Sequence, residues 1–399
     1  MAQINNPLYD EYLRSEFTAT ILKSLKAFCA EDYRKYEAKN IIERWLMGSS
    51  NLVSHKCDPI FSEEIMDKSH SLNRLMVEEI IGKGILPKTR AEIYMAYVLQ
   101  KVRDVTKTPS TSEHIVLPDF MKIATKHFDN YFTVTSLSNL SNLVLSNSVN
   151  GRIEKEAGKL SYAGFAQVIS AERYNSLGKK DDAIMTCMLR YSSVVATSQQ
   201  WQIPRAMYKV LVDKYDVTLE AFASPLNSQL ILIPNKKMKF CSLFPDVDSV
   251  FGSVGRFMET SFSGLSVAVN PPYVLSVLEL TVAKCIAECE MAECFGGKVR
   301  MFIMSAAWTD ADFHQKLVKS KYTRCCVNLD KGQHFYEDPG EIDSTGLPKK
   351  ITAKFRSIFC VMSFGFDDTD YSQITEAMAS PNVNTWSNRK NLRGKAEQL

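Results

Sequence analysis

Several features that would narrow the chain's class are missing from it. The N-terminus, MAQINNPLYDEYLRSEF, has no basic segment followed by an apolar one, so no secretory leader is expected. No uncharged apolar run reaches the ~20 residues that span a bilayer, so no membrane contact is expected either. There is no internal repeat and no strongly biased tail. The charge balance is nearly even, with a net of only +3. A polyanion-binding protein of this composition has to concentrate its basic residues on one face. The ten cysteines form no pair of zinc knuckles: Cys285, Cys289 and Cys294 share one apolar helical segment, and Cys325 and Cys326 are adjacent. Without a secretory route they are read as reduced thiols, mostly small buried hydrophobes, and no metal site is expected.

What is present fits two domains. The 399 residues can bury a sizeable core, and the composition, 45% hydrophobic and 23% charged, is that of an ordinary globular protein. The first half reads as helical. Phe17, Ile21, Leu22, Leu25, Phe28 and Cys29 recur at helical spacing, and Ile41, Ile42, Trp45 and Leu46 continue the pattern. Thr89 and Glu92 form a capping box ahead of Ile93, Tyr94 and Val98. Helical periodicity covers 118–132 and 183–195, and 133–150 is a Ser/Asn-rich connector.

The texture changes near Trp201. Short apolar runs predict strands at Val217–Ala223, 265–269, Val299–Ala306 and Ser357–Phe364, with a hairpin of 230–233 and 238–243 about the turn 234–237. A long helix runs from 274 to about 294, with Leu278, Val282, Cys285, Ile286 and Cys289 on one face, and Gly296-Gly297 ends it. Strands alternating with helices predict an α/β, Rossmann-like sheet over 201–385, preceded by an all-helical domain over 1–200 and followed by a tail at 386–399. Such sheets bind ligands beyond the carboxyl ends of their strands, which singles out the loops after Ala223, Val269 and Ala306.

The loop after Val269 reads Asn270-Pro271-Pro272-Tyr273. Methylation of an exocyclic amine needs such a loop, because the nitrogen lone pair is delocalised into the ring. Acceptors for the two N–H groups localise the pair and aim it at a sulfonium methyl. Asn270 offers a side-chain carbonyl. Pro271 and Pro272 stiffen the backbone and leave a main-chain carbonyl for the second hydrogen. Tyr273 offers a stacking face to a base that has left its neighbours. The gain comes from orientation, so the loop has to be rigid. The same residues also suit a plain turn between strand and helix. Their place after an apolar strand favours the catalytic reading.

The methyl donor for this chemistry is S-adenosylmethionine. No D-x-G-x-G loop lies upstream to hold it. The candidate is a strand ending in small residues, Glu220, Ala221, Phe222, Ala223, Ser224, Pro225 and Asn227, although small residues also serve close packing. Phe251, Gly252 and Ser253 form a second, flexible loop. Asp246 or Asp248 ahead of it could hold ribose hydroxyls, or simply be solvated turn acids.

Four blocks now stand in order: 220–227 (EAFASPLN), 244–255 (FPDVDSVFGSVG), 269–273 (VNPPY), and a strand ending at Trp308 followed by His334-Phe335-Tyr336. Together, over about 217–364, they resemble the cap-specific adenosine N6-methyltransferases, also called phosphorylated-CTD-interacting factors. That family has Phe where Tyr273 stands, which keeps the stacking face. The resemblance implies a helical domain that contributes to RNA binding, then a Rossmann methyltransferase domain using S-adenosylmethionine. It implies capped RNA as partner, with the first transcribed adenosine beside the 7-methylguanosine as acceptor, and a nuclear location in preference to a cytoplasmic one. Trp308, His334 and Tyr336 become substrate-binding candidates, since aromatics suit a cationic cap. Two basic clusters, Lys236, Lys237 and Lys239, and Lys349, Lys350, Lys354 and Arg356, suit the triphosphate, although charge runs are usually solvated faces. Nothing resembling the WW module of the family's animal members is seen.

Two other classes stay open. Asn-Pro-Pro-Tyr also occurs in protein-glutamine and DNA-adenine methyltransferases; the missing D-x-G-x-G argues against the first only. A catalytically inactive RNA-binding subunit is the second, and the intact Asn270 and prolines argue against it.

Overall fold

The computed structural model describes residues 153–156, 159–162, 168–192, 200–233, 238–343, 347–366, 370–372 and 374. The helical patterns of 17–46, 89–98 and 118–132, the connector at 133–150, the turn 234–237 and the tail lie outside them. The chain divides into two compact units, 1–152 with 188–196, and 153–187 with 197–399. The sheets and loops below belong to the second.

That unit begins with strands. β1 (Ile153–Glu156), β2 (Lys159–Tyr162) and β3 (Val168–Ser170) make a small antiparallel sheet. These residues sit in the stretch read as all-helical. The runs of three or four residues are too short to show a period, and only their mutual pairing makes them strands. Helices α1 (Ala171–Ser176), α2 (Asp181–Ser192, whose residues from Met188 on fall in the first unit) and α3 (Arg205–Tyr215) follow, and the four-residue α4 (Pro245–Asp248) comes further along the chain. α3 buries one stripe, Met207, Tyr208, Leu211, Val212 and Tyr215, and stops at Asp216, which adopts the left-handed conformation at φ 52°.

The main sheet has six strands: β4 (Val217–Ala223), β5 (Lys239–Ser242), β6 (Ser266–Val269), β7 (Val299–Ala306), β8 (Thr323–Leu329) and β11 (Ser357–Phe364). They lie in the order β5-β4-β6-β7-β11-β8. β5, β4, β6 and β7 are parallel, and β11 runs antiparallel between β7 and β8. Every residue of β6 and β7 is buried, as expected of parallel strands covered on both faces. One face packs on α5 (Leu275–Phe295) and α6 (Asp312–Lys319) through Leu278, Val282, Cys285, Cys289, Phe313 and Leu317. The other packs on α3 through Met207, Leu211 and Tyr215, against Phe302, Met304 and Phe359. A hairpin of β9 (Phe335–Ile342) and β10 (Pro348–Thr352) is inserted before β11.

Three expectations are corrected. The hairpin of 230–233 and 238–243 does not form: Leu230–Leu232 is a single 3-10 turn, and β5 pairs in parallel with β4. The backbone amides of Gln229 and Leu230 are drawn to the buried Glu220 carboxylate, which winds that segment into a turn. The loop carrying Phe251, Gly252 and Ser253 is not loose. It runs beside β5, with Ser253 bridged to Phe240 and Gly252 in the left-handed region at φ 106°. Finally, not every cysteine is a free thiol. Cys326 and Cys360 stand opposite each other on β8 and β11 and form a disulfide, with Cα atoms 4.2 Å apart. Cys285 and Cys289 are buried in α5 as expected, and burial pushes the Cys289 thiol up to about 12.

α5 is held by its apolar stripe, so position on it decides the cost of truncation. Leu278 is 1% exposed and Phe295 83%. Leu278→Ala is expected to cost about 2–5 kcal/mol, and Phe295→Ala less than about 0.5 kcal/mol. Urea midpoints at unchanged m-value check this; equal costs would contradict the packing.

Candidate active site

From β4 the chain moves out to β5 on one side, then returns to β6 on the other. A crevice forms at such a reversal, beyond the carboxyl ends of the two central strands. The loops there are those after Ala223 and Val269, and the loops after β7 and β8 open on the same edge.

The loop after β4 has no glycine, yet it is firmly held. Glu220, 2% exposed, accepts from Tyr208 Oη at 2.6 Å, Ser228 Oγ at 2.8 Å and the Gln229 amide at 3.0 Å. Burial raises its pKa, and the bonds from Tyr208 and Ser228 oppose that rise. Arg173, on α1, grips the loop by its carbonyls, donating to Pro225 O at 3.1 Å and Ser228 O at 2.8 Å. Burial, with the like charge of Arg205, brings its guanidinium down to about 10. Ser224 closes the turn: its N–H donates to Asn227 Oδ1 at 2.7 Å. Charged side chains thus replace the glycines that would otherwise shape such a loop.

The predicted loop residues divide accordingly. Glu220, Ala221, Ser224 and Pro225 are buried, and Phe222 is half-buried on Phe257, 4.4 Å between centroids. Ala223 and Asn227 lie at the strand's end. Of the two acids after β5, Asp248 is fully buried and accepts from Cys187 Sγ at 3.3 Å, whereas Asp246 is exposed at the carboxyl end of the strand. Of the two, only Asp246 is open to solvent. Ser253 is tied to Ser242, 2.7 Å between hydroxyl oxygens.

Asn270 follows β6, half-buried, and its Nδ2 donates to the Trp201 carbonyl at 3.3 Å. The Pro272 carbonyl takes the Val274 amide at 2.8 Å as α5 begins. Among the described residues, no hydrogen bond reaches the Pro271 carbonyl or Asn270 Oδ1. Tyr273 turns its hydroxyl inward, 2.7 Å from Tyr336 Oη and 3.4 Å from Ser357 Oγ. Phe355 meets the Tyr273 ring edge-on at 5.6 Å.

His334 and Tyr336 join this cluster from the β9 side. They are 1% and 4% exposed, so they support the loop from behind. The hydrogen-bond directions follow from one carbonyl. His334 Nδ1 lies 3.1 Å from Asp330 O, which can only accept, so Nδ1 carries the proton. Nε2 then accepts from Ser357 Oγ at 2.9 Å, and Ser357 in turn accepts from Tyr336 at 2.9 Å. Tyr336 accepts from Tyr273. Burial pushes Tyr336 up to about 12 and Tyr273 well above the usual range, so both remain neutral donors. Trp308, after β7, is 40% exposed and packs edge-on against Phe313 at 5.9 Å. It stands on the ligand edge, apart from the buried cluster.

Sequence reasoning missed Gln200, Trp201, Asp338, Ser357 and Phe355. Trp201 Nε1 donates to Asp338 Oδ2 at 3.1 Å, and its ring stacks on Tyr336 at 6.3 Å. These partners are far apart in the chain, and only the change of texture near Trp201 marked the place. Among the described residues, no group of three or more His, Cys, Asp or Glu side chains is placed to hold a metal. No described helix is long and apolar enough to cross a membrane.

The fold defines an α/β protein whose two held loops lie at the carboxyl ends of its central strands. Comparison with known proteins adds a relationship. The family model described as "Phosphorylated CTD interacting factor 1 WW domain" matches residues 168–339. The chain is 29% identical over 147 residues to the mRNA (2'-O-methyladenosine-N(6)-)-methyltransferase of Mus musculus, covering 33% of this chain and 19% of that protein. It is 27% identical over 152 residues to the protein of the same name from Homo sapiens, covering 35% and 20%. The alignment thus spans about a fifth of either relative. The view that nothing here resembles that family's WW module is corrected: the matching model carries the module in its description, and the match falls on the α/β sheet and its loops.

His334 gives a pH test. Burial lowers its pKa below the usual 6.5. On acidification the unfolded chain takes up the proton first, so stability falls as pH drops through 6.5 toward the folded value. His314, also lowered, acts in the same sense. His334→Gln is expected to flatten the stability–pH slope by up to about one proton between about pH 7 and 5. A slope identical to wild type in denaturant titrations would show that the His334 pKa does not change on folding, contradicting the effect of burial.

Proposed function

We propose that the chain is an S-adenosylmethionine-dependent methyltransferase acting on N6 of adenosine in RNA. The proposed acceptor is the first transcribed adenosine beside the 7-methylguanosine cap. The observation that carries the reading is the Asn270 loop at the topological switch point, with Asn270 Nδ2 turned to the Trp201 carbonyl; the two acceptors proposed for the amine are Asn270 Oδ1 and the Pro271 carbonyl. The names of the mouse and human relatives support adenosine in mRNA as the acceptor. The domain plan proposed is an RNA-contacting helical region before the β1–β3 sheet, then a Rossmann-like catalytic domain over 201–385. A nuclear location is part of the proposal, supported by the phosphorylated CTD named in the matching family model.

The residues fit the cofactor. The small side chains Ala223 and Ser224 at the end of β4 allow a close approach, and the exposed Asp246 after β5 suits two ribose hydroxyls. Bound there, S-adenosylmethionine supplies an electrophilic methyl on a sulfonium. The chain supplies orientation. Asn270 Oδ1 and the Pro271 carbonyl accept the two N6 hydrogens and release the lone pair into line. Tyr273, its hydroxyl anchored on Tyr336, presents its ring to the adenine. The crevice holds the acceptor out of water. Trp308 offers an exposed ring to the cap, whose positive charge favours an aromatic face.

Labelled methyl transfer to capped RNA, uncapped RNA and duplex DNA tests the acceptor. The expected order places capped RNA far ahead, and equal labelling of uncapped RNA removes the cap. Asn270→Ala should lower kcat on the order of 10²–10³-fold, the usual loss for one preorganised polar group, with an unchanged melting temperature. A folded Asn270→Ala with full activity would falsify the assignment.

A further inference from the structure

A primary amide is ambiguous as an acceptor, since its oxygen and nitrogen exchange places by a half-turn about one bond. The chemistry above works in only one of the two orientations. If Asn270 Nδ2 faced the adenine, it would meet N6–H donor to donor. Something has to set the orientation before the substrate arrives.

The only hydrogen bond found for the Asn270 side chain among the described residues is the one Nδ2 donates to the Trp201 carbonyl, at 3.3 Å. A carbonyl accepts and cannot donate, so it selects the orientation that leaves Oδ1 on the other side. Trp201 is held at three points. Its indole N–H is bonded to Asp338 at 3.1 Å, its ring stacks on Tyr336, and the next residue, Gln202, exchanges two backbone bonds with Glu337, at 3.0 and 2.9 Å. Tyr336 also anchors Tyr273. The preceding residue reaches the other loop: the Gln200 carbonyl accepts from Asn227 Nδ2 at 3.4 Å. Residues 200–202 therefore form a strap that touches both loops of the crevice and is fastened to β9.

We propose that Trp201 is the positioning residue for Asn270, its carbonyl fixing the amide with Oδ1 toward the acceptor amine. The proposal rests on the methyl-transfer reading for its kinetic consequence. The orientation itself can be observed without turnover.

The experiment uses the full chain with isotope-labelled asparagine, and wild type, Trp201→Ala and Trp201→Phe. Trp201→Phe keeps a ring on Tyr336 and loses the donor to Asp338. The Asn270 side-chain amide is assigned by its loss in Asn270→Ala. In wild type one Nδ2 proton should be protected from exchange, and Trp201→Ala should remove that protection, with Trp201→Phe between. Turnover is expected to fall in the same order, kcat by about 10-fold or more in Trp201→Ala, with KM for S-adenosylmethionine within about two-fold. A merely structural role would lower the melting temperature and leave the amide protection of the folded fraction intact. Should Trp201→Ala not fold, the comparison runs on Trp201→Phe. Unchanged amide protection and unchanged kcat in a folded variant overturn the proposal. If wild type shows no transfer, the methyl-transfer reading fails, while amide protection still decides the orientation.

Discussion

The crevice depends on one buried carboxylate. Glu220 sits in the centre of β4, where burial of an ion with a missing partner costs about 3–5 kcal/mol. Its donors come from three places: Tyr208 on α3, the Ser228 hydroxyl, and the backbone amides that follow it. Satisfying that charge bends the chain back after Ala223 and wraps residues 224–230 around the strand end. Arg173 completes the clamp from α1 by holding two carbonyls of the same loop. A glycine-rich loop reaches a tight shape by having few steric restrictions. This one reaches it by charge, with Glu220 taking N–H groups and Arg173 taking carbonyls. The result is a preorganised edge in a loop without glycine.

The second loop is held by a different device. The hydroxyl chain from His334 through Ser357 and Tyr336 to Tyr273 has a single direction, set by the Asp330 carbonyl, and it fixes the Tyr273 ring from its buried end. Asn270 Nδ2 is turned to the Trp201 carbonyl, so its Oδ1 faces the other way. Polar groups pointing inward hold the loop from its buried side. The two devices meet at residues 200–202, which touch both loops.

The central strands and α5 were legible because their signals are local. The apolar core Met301–Met304 of Val299–Ala306 reads as a strand buried on both faces, and Gly296 marks the end of α5 with its left-handed φ of 64°. The Asn270 loop could be singled out because its four residues are contiguous and follow β6 directly. The strand at Thr323–Leu329 was not, since only alternate residues are half-buried and its pairing with β11 spans a long inserted hairpin. The hairpin expected at 230–243 failed because a carboxylate ten residues away overrides local turn preference. The roles of Trp201, Ser357 and Asp338 depend on contacts across 21 to 137 positions of chain, which no spacing encodes.

The central claim is that Asn270 and its loop direct a methyl to N6 of an RNA adenosine. Nucleoside mass spectrometry of a capped RNA beginning with adenosine, after incubation with the protein and S-adenosylmethionine, tests it most directly. The account predicts one added methyl on the first transcribed adenosine, located at N6 by fragmentation, and its loss with Asn270→Ala. A methyl found elsewhere on the nucleoside, or on adenosine with Asn270→Ala undiminished, would contradict it.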